Sequence, residues 1–121
     1  MSTIDRRFPR AVYAVGEEPD PRFSLANERT FLAWVRTSLA FVAAGVALEA
    51  LQLGIRPELR LVASITLLLL GVLAAGQAWT GWTRSETAMR RHTALPGPAP
   101  AAILVIGVIL AAALIVIGLF L

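Results

Sequence analysis

Arg22, Arg29 and Arg36 recur at seven-residue intervals, and the third of them stands inside a stretch of apolar residues. Arginine is a fixed cation with a planar fork of donors, suited to gripping phosphate or carboxylate. Placed on a helix at about 100° per residue with Arg29 at zero, Arg36 falls near −20° and Arg22 near +20°. Ala33, Ala40, Ala43 and Ala47 fall within about 40° of the same line. One stripe therefore carries cations at one end and small side chains along the rest. Phe23, Trp34 and Phe41 share a second face, and Leu32, Leu39, Val46 and Leu53 a third.

Other chemistry is poorly provided for. The chain has no cysteine, so disulfides and thiolate metal sites are excluded. His92 is the single histidine and the nearest acid along the chain is Glu86, too little for a metal site. No serine stands beside a histidine and no glycine-rich phosphate loop is present. No enzyme activity, cofactor or metal is expected. All 11 cations are arginine, which base composition explains as readily as a functional preference. A net charge of +3 is too weak to argue for nucleic acid.

The elements that must position the arginines are membrane helices. Only 16% of the residues are charged, where a soluble domain has about a quarter. The apolar residues gather into three blocks, 30–53, 59–82 and 100–121, each matching the roughly 20 residues that cross a bilayer. The expected fold is an all-α membrane protein of three transmembrane helices, about 23–53, 58–93 and 100–121, forming one domain over residues 23–121. Residues 1–22 form a polar, mobile arm with no signal-peptide core. Asp20-Pro21 reads as a helix start, with aspartate capping and proline at the first helical position. In "GIRPE", Gly54 can end one helix and Pro57 begin the next, which forces an antiparallel hairpin. The second link runs through "TRSETAMRRHTALPGPAP"; its first part prolongs the second helix and its prolines break the chain.

Arginines cluster in the arm and the second link, whereas the hairpin holds only Arg56 and Arg60. The positive-inside rule then places the N-terminus in the cytoplasm and the C-terminus outside. Trp34, Trp79 and Trp82 fall near the same cytoplasmic boundary, where amphipathic rings prefer to sit.

An arginine at the centre of a membrane helix costs about 2.5–3.5 kcal/mol on insertion scales. Arg36 lies roughly 8 Å inside the boundary, so its stem can snorkel back to the headgroups. Alternatively, Arg29 and Arg36 face a wet vestibule lined by protein. Their coincidence with the alanine stripe favours the vestibule, because small residues mark close helix contacts and intramembrane charge usually faces a bundle interior. Glu28 suits the first turns of its helix, and Glu49 is a solvated end with Arg56 or Arg60 within reach. In the second helix Gly71, Ala75, Ala74 and Ala78 offer small-residue spacing, with Gln77 as an interhelical donor. Gly107 and Ala111 do the same in the third.

The run "DPRFSLANERTFLAWVRTSLAF", residues 20–41, resembles the signature of the domain of unknown function 202 family, the YidH-like small bacterial membrane proteins. "RSETAMRRHTALP" resembles that family's cytoplasmic segment. The resemblance implies a multi-pass protein of the bacterial inner (plasma) membrane. The layout is also similar to the membrane region of the vacuolar transporter chaperone complex, where three-helix subunits form a ring with basic residues lining a polyphosphate channel. Asn27, Glu28, Arg29, Thr30, Phe31, Leu32 and Trp34 match that motif. The likeness implies that Arg29 lines a channel and that Glu28, with Asn27, is its structural partner; Arg36 fits the bacterial pattern better. The chain holds no polymerase or phosphate-sensing domain, so it is not expected to make polyphosphate.

The functional expectation is a homo-oligomer in the lipid bilayer. Arg22, Arg29 and Arg36 would line a channel-like cytoplasmic vestibule that binds or conducts a phosphate-like anion or polyphosphate, with the alanines Ala33, Ala40, Ala43 and Ala47 at the subunit contact. The alternative is a non-conducting scaffold or regulatory subunit that docks a protein or anionic lipid.

Overall fold

The computed structural model describes residues 5–97 and 99–121. Residues 1–4 of the arm and Pro98 of the "PGPAP" break lie outside the described residues. Four helices follow in order: a single turn α1 (Arg10–Tyr13), then α2 (Pro21–Ala50), α3 (Pro57–Arg90) and α4 (Ala99–Phe120). The last three are each long and apolar enough to cross a membrane. Their boundaries follow the punctuation in the sequence. The Asp20 carboxylate accepts a hydrogen bond from Arg22 N–H at 2.9 Å, and Pro21 takes the first helical position. Pro57 does the same for α3. The end of α2 differs from expectation. It is Gln52, at φ +47°, that turns the chain, not Gly54.

The helices form an open row in which α3 is the middle member. It packs against α2 on one side and α4 on the other, while α2 and α4 make no close backbone approach among the described residues. Small residues set the α2–α3 distance. Gly45, Gly71, Ala63, Ala74 and Ala78 are buried in the row. A Cβ added to Gly71 would stand 2.7 Å from the Val42 side chain, and one on Gly45 would stand 3.0 Å from the Ser64 carbonyl oxygen. At the centre of this seam, Ser38 Oγ donates to the Gly71 carbonyl at 2.7 Å. In hydrocarbon a free hydroxyl is costly, so the bond ties the two backbones together. On the other side of α3, Gly107 makes room for Leu70, and Ala111 is buried.

At the hairpin end the helices finish level. Ile55 is buried against Gly118, Arg56 N–H donates to the Gly118 carbonyl at 2.9 Å, and Arg60 meets Glu49 at 3.4 Å. At the other end they do not. The 34 residues of α3 against the 22 of α4 amount to an overhang of about 18 Å at 1.5 Å per residue. With the first turns of α2, the overhang makes a two-helix stalk beyond the start of α4. The remaining outward faces are apolar: Leu39, Val46, Leu69, Val72, Ile106 and Ile109 are all well exposed, as suits contact with acyl chains.

The tightness of the seam is directly testable. Gly71→Leu overfills it and is expected to destabilise the bundle by about 2–3 kcal/mol, read from unfolding in mixed detergent micelles. Ala75→Leu, on the exposed side of α3, is expected to change stability by less than about 0.5 kcal/mol.

Candidate functional site

The stalk carries a buried carboxylate, whereas the buried polar side chains of the membrane-embedded part among the described residues are the serines Ser38 and Ser64. One turn apart on α2, Ser24 and Asn27 point at α3. There the Glu86 carboxylate, only 3% exposed, accepts from Ser24 Oγ at 2.7 Å and from Asn27 Nδ2 at 3.1 Å. Asn27 Nδ2 also donates to the Trp82 carbonyl at 3.1 Å, so both of its N–H groups are used. Among the described residues no cation lies within ion-pair distance of Glu86. A buried carboxylate held by two neutral donors is costly to disturb, and it fixes the register of α2 on α3.

The arm is not free. Residues 5–20 fold back onto the end of α3, and Arg90 holds them there. Its side chain is 6% exposed; Nε donates to the Val15 carbonyl at 2.8 Å, one terminal nitrogen to the Tyr13 carbonyl at 3.0 Å, and the other reaches Glu18 at 3.3 Å. In return, Glu17 N–H donates to the Arg90 carbonyl at 2.8 Å. Gly16, at φ +61°, permits this approach, since a Cβ there would sit 2.0 Å from the Arg90 carbonyl oxygen. Rings complete the dock. Phe8 stacks on Trp79 at 5.9 Å between centroids, Trp79 on Trp82 at 5.8 Å, and the Arg7 guanidinium lies 4.2 Å from the centre of the Tyr13 ring.

Charge pairing tunes the arm. Hydrogen bonds from Arg7 and Arg90 hold the Glu18 carboxyl down to about 2, and Arg7 holds Asp5 down to about 2. The same two carboxylates push the Arg7 guanidinium up. Burial, together with the nearby Glu86, raises the Tyr13 phenol.

The arginine stripe faces elsewhere. Asn27, Ser38 and Gly45 define the side of α2 buried on α3, and Arg29, Ala33, Arg36, Ala40 and Ala43 lie on the opposite side, all exposed. Ala47 is half-buried, and the Arg22 side chain is 85% exposed and pairs with Asp20 at 2.9 Å. Glu28 is exposed, and among the described residues it makes no ion pair with Arg29 or any other cation. The structure thus keeps Arg29 and Arg36 on one face, separate from the buried Ser24–Asn27–Glu86 core.

The family model described as a domain of unknown function, DUF202, matches residues 22–88, more than half of the chain. The chain belongs to the DUF202 family. An uncharacterized protein of Mycobacterium tuberculosis is 49% identical to it over 85 residues, covering 69% of each chain. Inner membrane protein YidH of Escherichia coli K12 is 48% identical over 87 residues, covering 68% of this chain and 72% of that protein. No solved structure matches. With three helices fit to cross a bilayer, this member of the DUF202 family is a membrane protein.

The DUF202 match spans Ser24, Asn27, Arg29, Arg36 and Glu86 but ends before Arg90 and excludes the arm. Sequence reasoning singles out Asn27 but not Ser24 and Glu86, which share its buried core, nor Arg90, which anchors the arm. Ser24 and Asn27 at i and i+3, and Glu86 and Arg90 at i and i+4, do place polar groups on single faces of helices that prolong membrane spans.

Asn27→Ala is expected to destabilise this DUF202 chain by about 1–3 kcal/mol in micellar unfolding, because it strips the buried Glu86 of a donor; Glu28→Ala is expected to change it by less than about 0.5 kcal/mol. The arm responds to acid. The Glu18 carboxyl falls from an ordinary 4.5 to about 2 on docking, so its contribution is complete above 4.5 and is lost as pH falls toward 2. Tryptophan emission from the Trp79–Trp82 stack is expected to shift across that window, and high salt, which screens the exposed Arg7–Glu18 pair, is expected to weaken the shift and move it to higher pH. Arg90→Ala is expected to show the shifted emission already at neutral pH.

Proposed function

We propose that this DUF202 protein works as a homo-oligomer of the bacterial inner membrane in which α2 helices from different copies meet along the Arg29–Ala47 stripe. The arginines then surround a shared mouth that binds or passes a phosphate-like anion. One observation carries this reading: Arg29 and Arg36 stand on the face of α2 turned directly away from α3, in line with small residues, and without an acidic partner among the described residues. A lone chain would present Arg36 to lipid, at a cost below the roughly 2.5–3.5 kcal/mol of the helix centre and lower still if it snorkels. A neighbouring copy removes that cost, since alanines allow two backbones to approach closely and the guanidiniums then face each other across water. Mutual repulsion of such a ring is relieved by an anion, which forked donors bind well. The arginine-rich arm and stalk support a cytoplasmic position for this mouth, by the positive-inside rule, and the YidH relative is by its name an inner membrane protein.

A second reading is favoured by one feature of the stalk. The docked arm, α3 and the segment after it enclose a groove of about 640 Å³ lined by Trp79, Thr83, Arg84, Thr87 and Arg91. A non-conducting scaffold or regulatory subunit would use such a groove to dock a protein partner.

Cysteine crosslinking in native membranes separates a meeting of α2 helices from their isolation. Ala40→Cys is expected to give a disulfide-linked dimer, and Leu69→Cys, exposed on α3, is expected to give none. In liposomes carrying the wild-type chain, phosphate flux is expected to fall about tenfold or more in Arg29→Ala and Arg36→Ala. Crosslinking with unchanged flux would leave only the scaffold.

A further inference from the structure

The gap between α2 and α4 is a structured fissure. At the level of the stalk base it opens as a hollow of about 310 Å³ whose polar lining includes Thr30, Gln77, Arg84 and Ser85, beside Trp34 and Trp82. Toward the hairpin it continues as a second hollow of about 260 Å³, which shares Thr30 and Trp34 and adds Ala33, Thr37 and Leu104. Further along the same gap a third hollow of about 210 Å³ is lined by Ala44, Ala47, Leu48, Leu67 and Ile115, among others.

The fissure has a polarity gradient. Arg84 is exposed, and among the described residues neither it nor Gln77 nor Ser85 makes a hydrogen bond to protein. These groups are available to a ligand at the mouth. On the α2 wall the hydroxyls are already bonded. Thr30 Oγ1 donates to the Ala26 carbonyl at 3.2 Å and Thr37 Oγ1 to the Ala33 carbonyl at 2.9 Å, so both threonines turn their polarity inward to their own helix. From Trp34 downward the gap is apolar. Trp34 and Trp82 mark the level at which amphipathic rings sit at the bilayer rim. A cation and free donors at that level, above an apolar slot at membrane depth, match the shape of one amphiphile.

We infer that the α2–α4 fissure is a binding site for one anionic phospholipid, with its phosphate at Arg84, Gln77 and Ser85 and one acyl chain lying past Trp34 and Thr37. The second hollow is on the order of eight methylenes in size, taking roughly 30 Å³ for each, the volume of a liquid water. The headgroup end of the site uses Arg84, Gln77 and Ser85 and neither Arg29 nor Arg36 of the proposed anion path, while Ala33 and Ala47 border both the gap beside α4 and the stripe of α2.

The test uses the full chain in phosphatidylcholine vesicles to which phosphatidylglycerol with brominated acyl chains is added, read by quenching of Trp34 and Trp82. A Trp79→Phe background removes the third indole and keeps a ring against Phe8. Brominated phosphatidylglycerol is expected to bind about fivefold more tightly than brominated phosphatidylcholine, the preference that one arginine at an anionic interface supplies. Arg84→Ala, a change at an exposed position, is expected to abolish that preference. Thr37→Phe, which fills the slot, is expected to reduce quenching by both lipids. Native mass spectrometry of the micelle-extracted chain is expected to retain one phosphatidylglycerol per chain. Equal quenching by the two lipids, or an unchanged preference in Arg84→Ala, overturns the site, and so does abolition of the preference by millimolar inorganic phosphate, which would reveal a site for free anions. Should Thr37→Phe fail to fold, the Arg84→Ala comparison still decides.

Discussion

The contact on which the rest of the protein depends is the close approach of α2 to α3. Glycine and alanine bring the two backbones together, and the Ser38 hydroxyl bonds directly to the Gly71 carbonyl at their centre. In hydrocarbon there is no hydrophobic force between helices, because lipid tails are as apolar as leucine. Close packing and hydrogen bonds must hold the pair. The polar stalk then adds Ser24, Asn27 and Glu86 to the same seam, in the same antiparallel register, at the level where water begins to compete.

Fixing that seam also fixes what α2 has left to offer. A helix that buries Asn27, Ser38 and Gly45 cannot bury Arg29 and Arg36, which lie half a turn away. The orientation of the arginines is therefore a consequence of glycine placement on two helices, and not of any contact the arginines make. The same logic separates the two polar systems of the chain. The buried one, around Glu86, is satisfied within the chain and serves structure. The outward one has no acidic partner within the described chain and is the natural place to look for a ligand or a second copy.

Much of the fold was legible in the sequence because its signals are local. Asp20-Pro21 and Pro57 mark helix starts through capping and fixed φ, and apolar runs mark the spans. The expected helices 23–53, 58–93 and 100–121 lie within three residues of those observed. What escaped was non-local. Gln52 turns the chain where Gly54 was expected to, because the loop is pinned by Ile55 and Gly118 at the far end of α4. The sequence of the arm suggests mobility because its anchor, Arg90, lies some 75 residues from Val15 and Tyr13. The role of Glu86 is invisible locally because both of its donors are about 60 residues away on another helix. The angular partition of α2, by contrast, needed only the helical repeat, and it placed Arg29, Ala33, Arg36 and Ala40 together as they stand.

A row of three helices has a mechanical consequence that a closed triangle does not. The backbone of each outer helix lies close to α3 alone, so α4 can detach with the α2–α3 seam intact once its clasp on the hairpin loop, Ile55 and Arg56 against Gly118, is released. Opening free energies should then come in two tiers, with amide exchange faster along α4 and slowest at the Gly45–Gly71 crossing. The matched segment, residues 22–88, corresponds closely to that inner hairpin. The hairpin is the cooperative unit of the molecule, and the last helix is a separable flank.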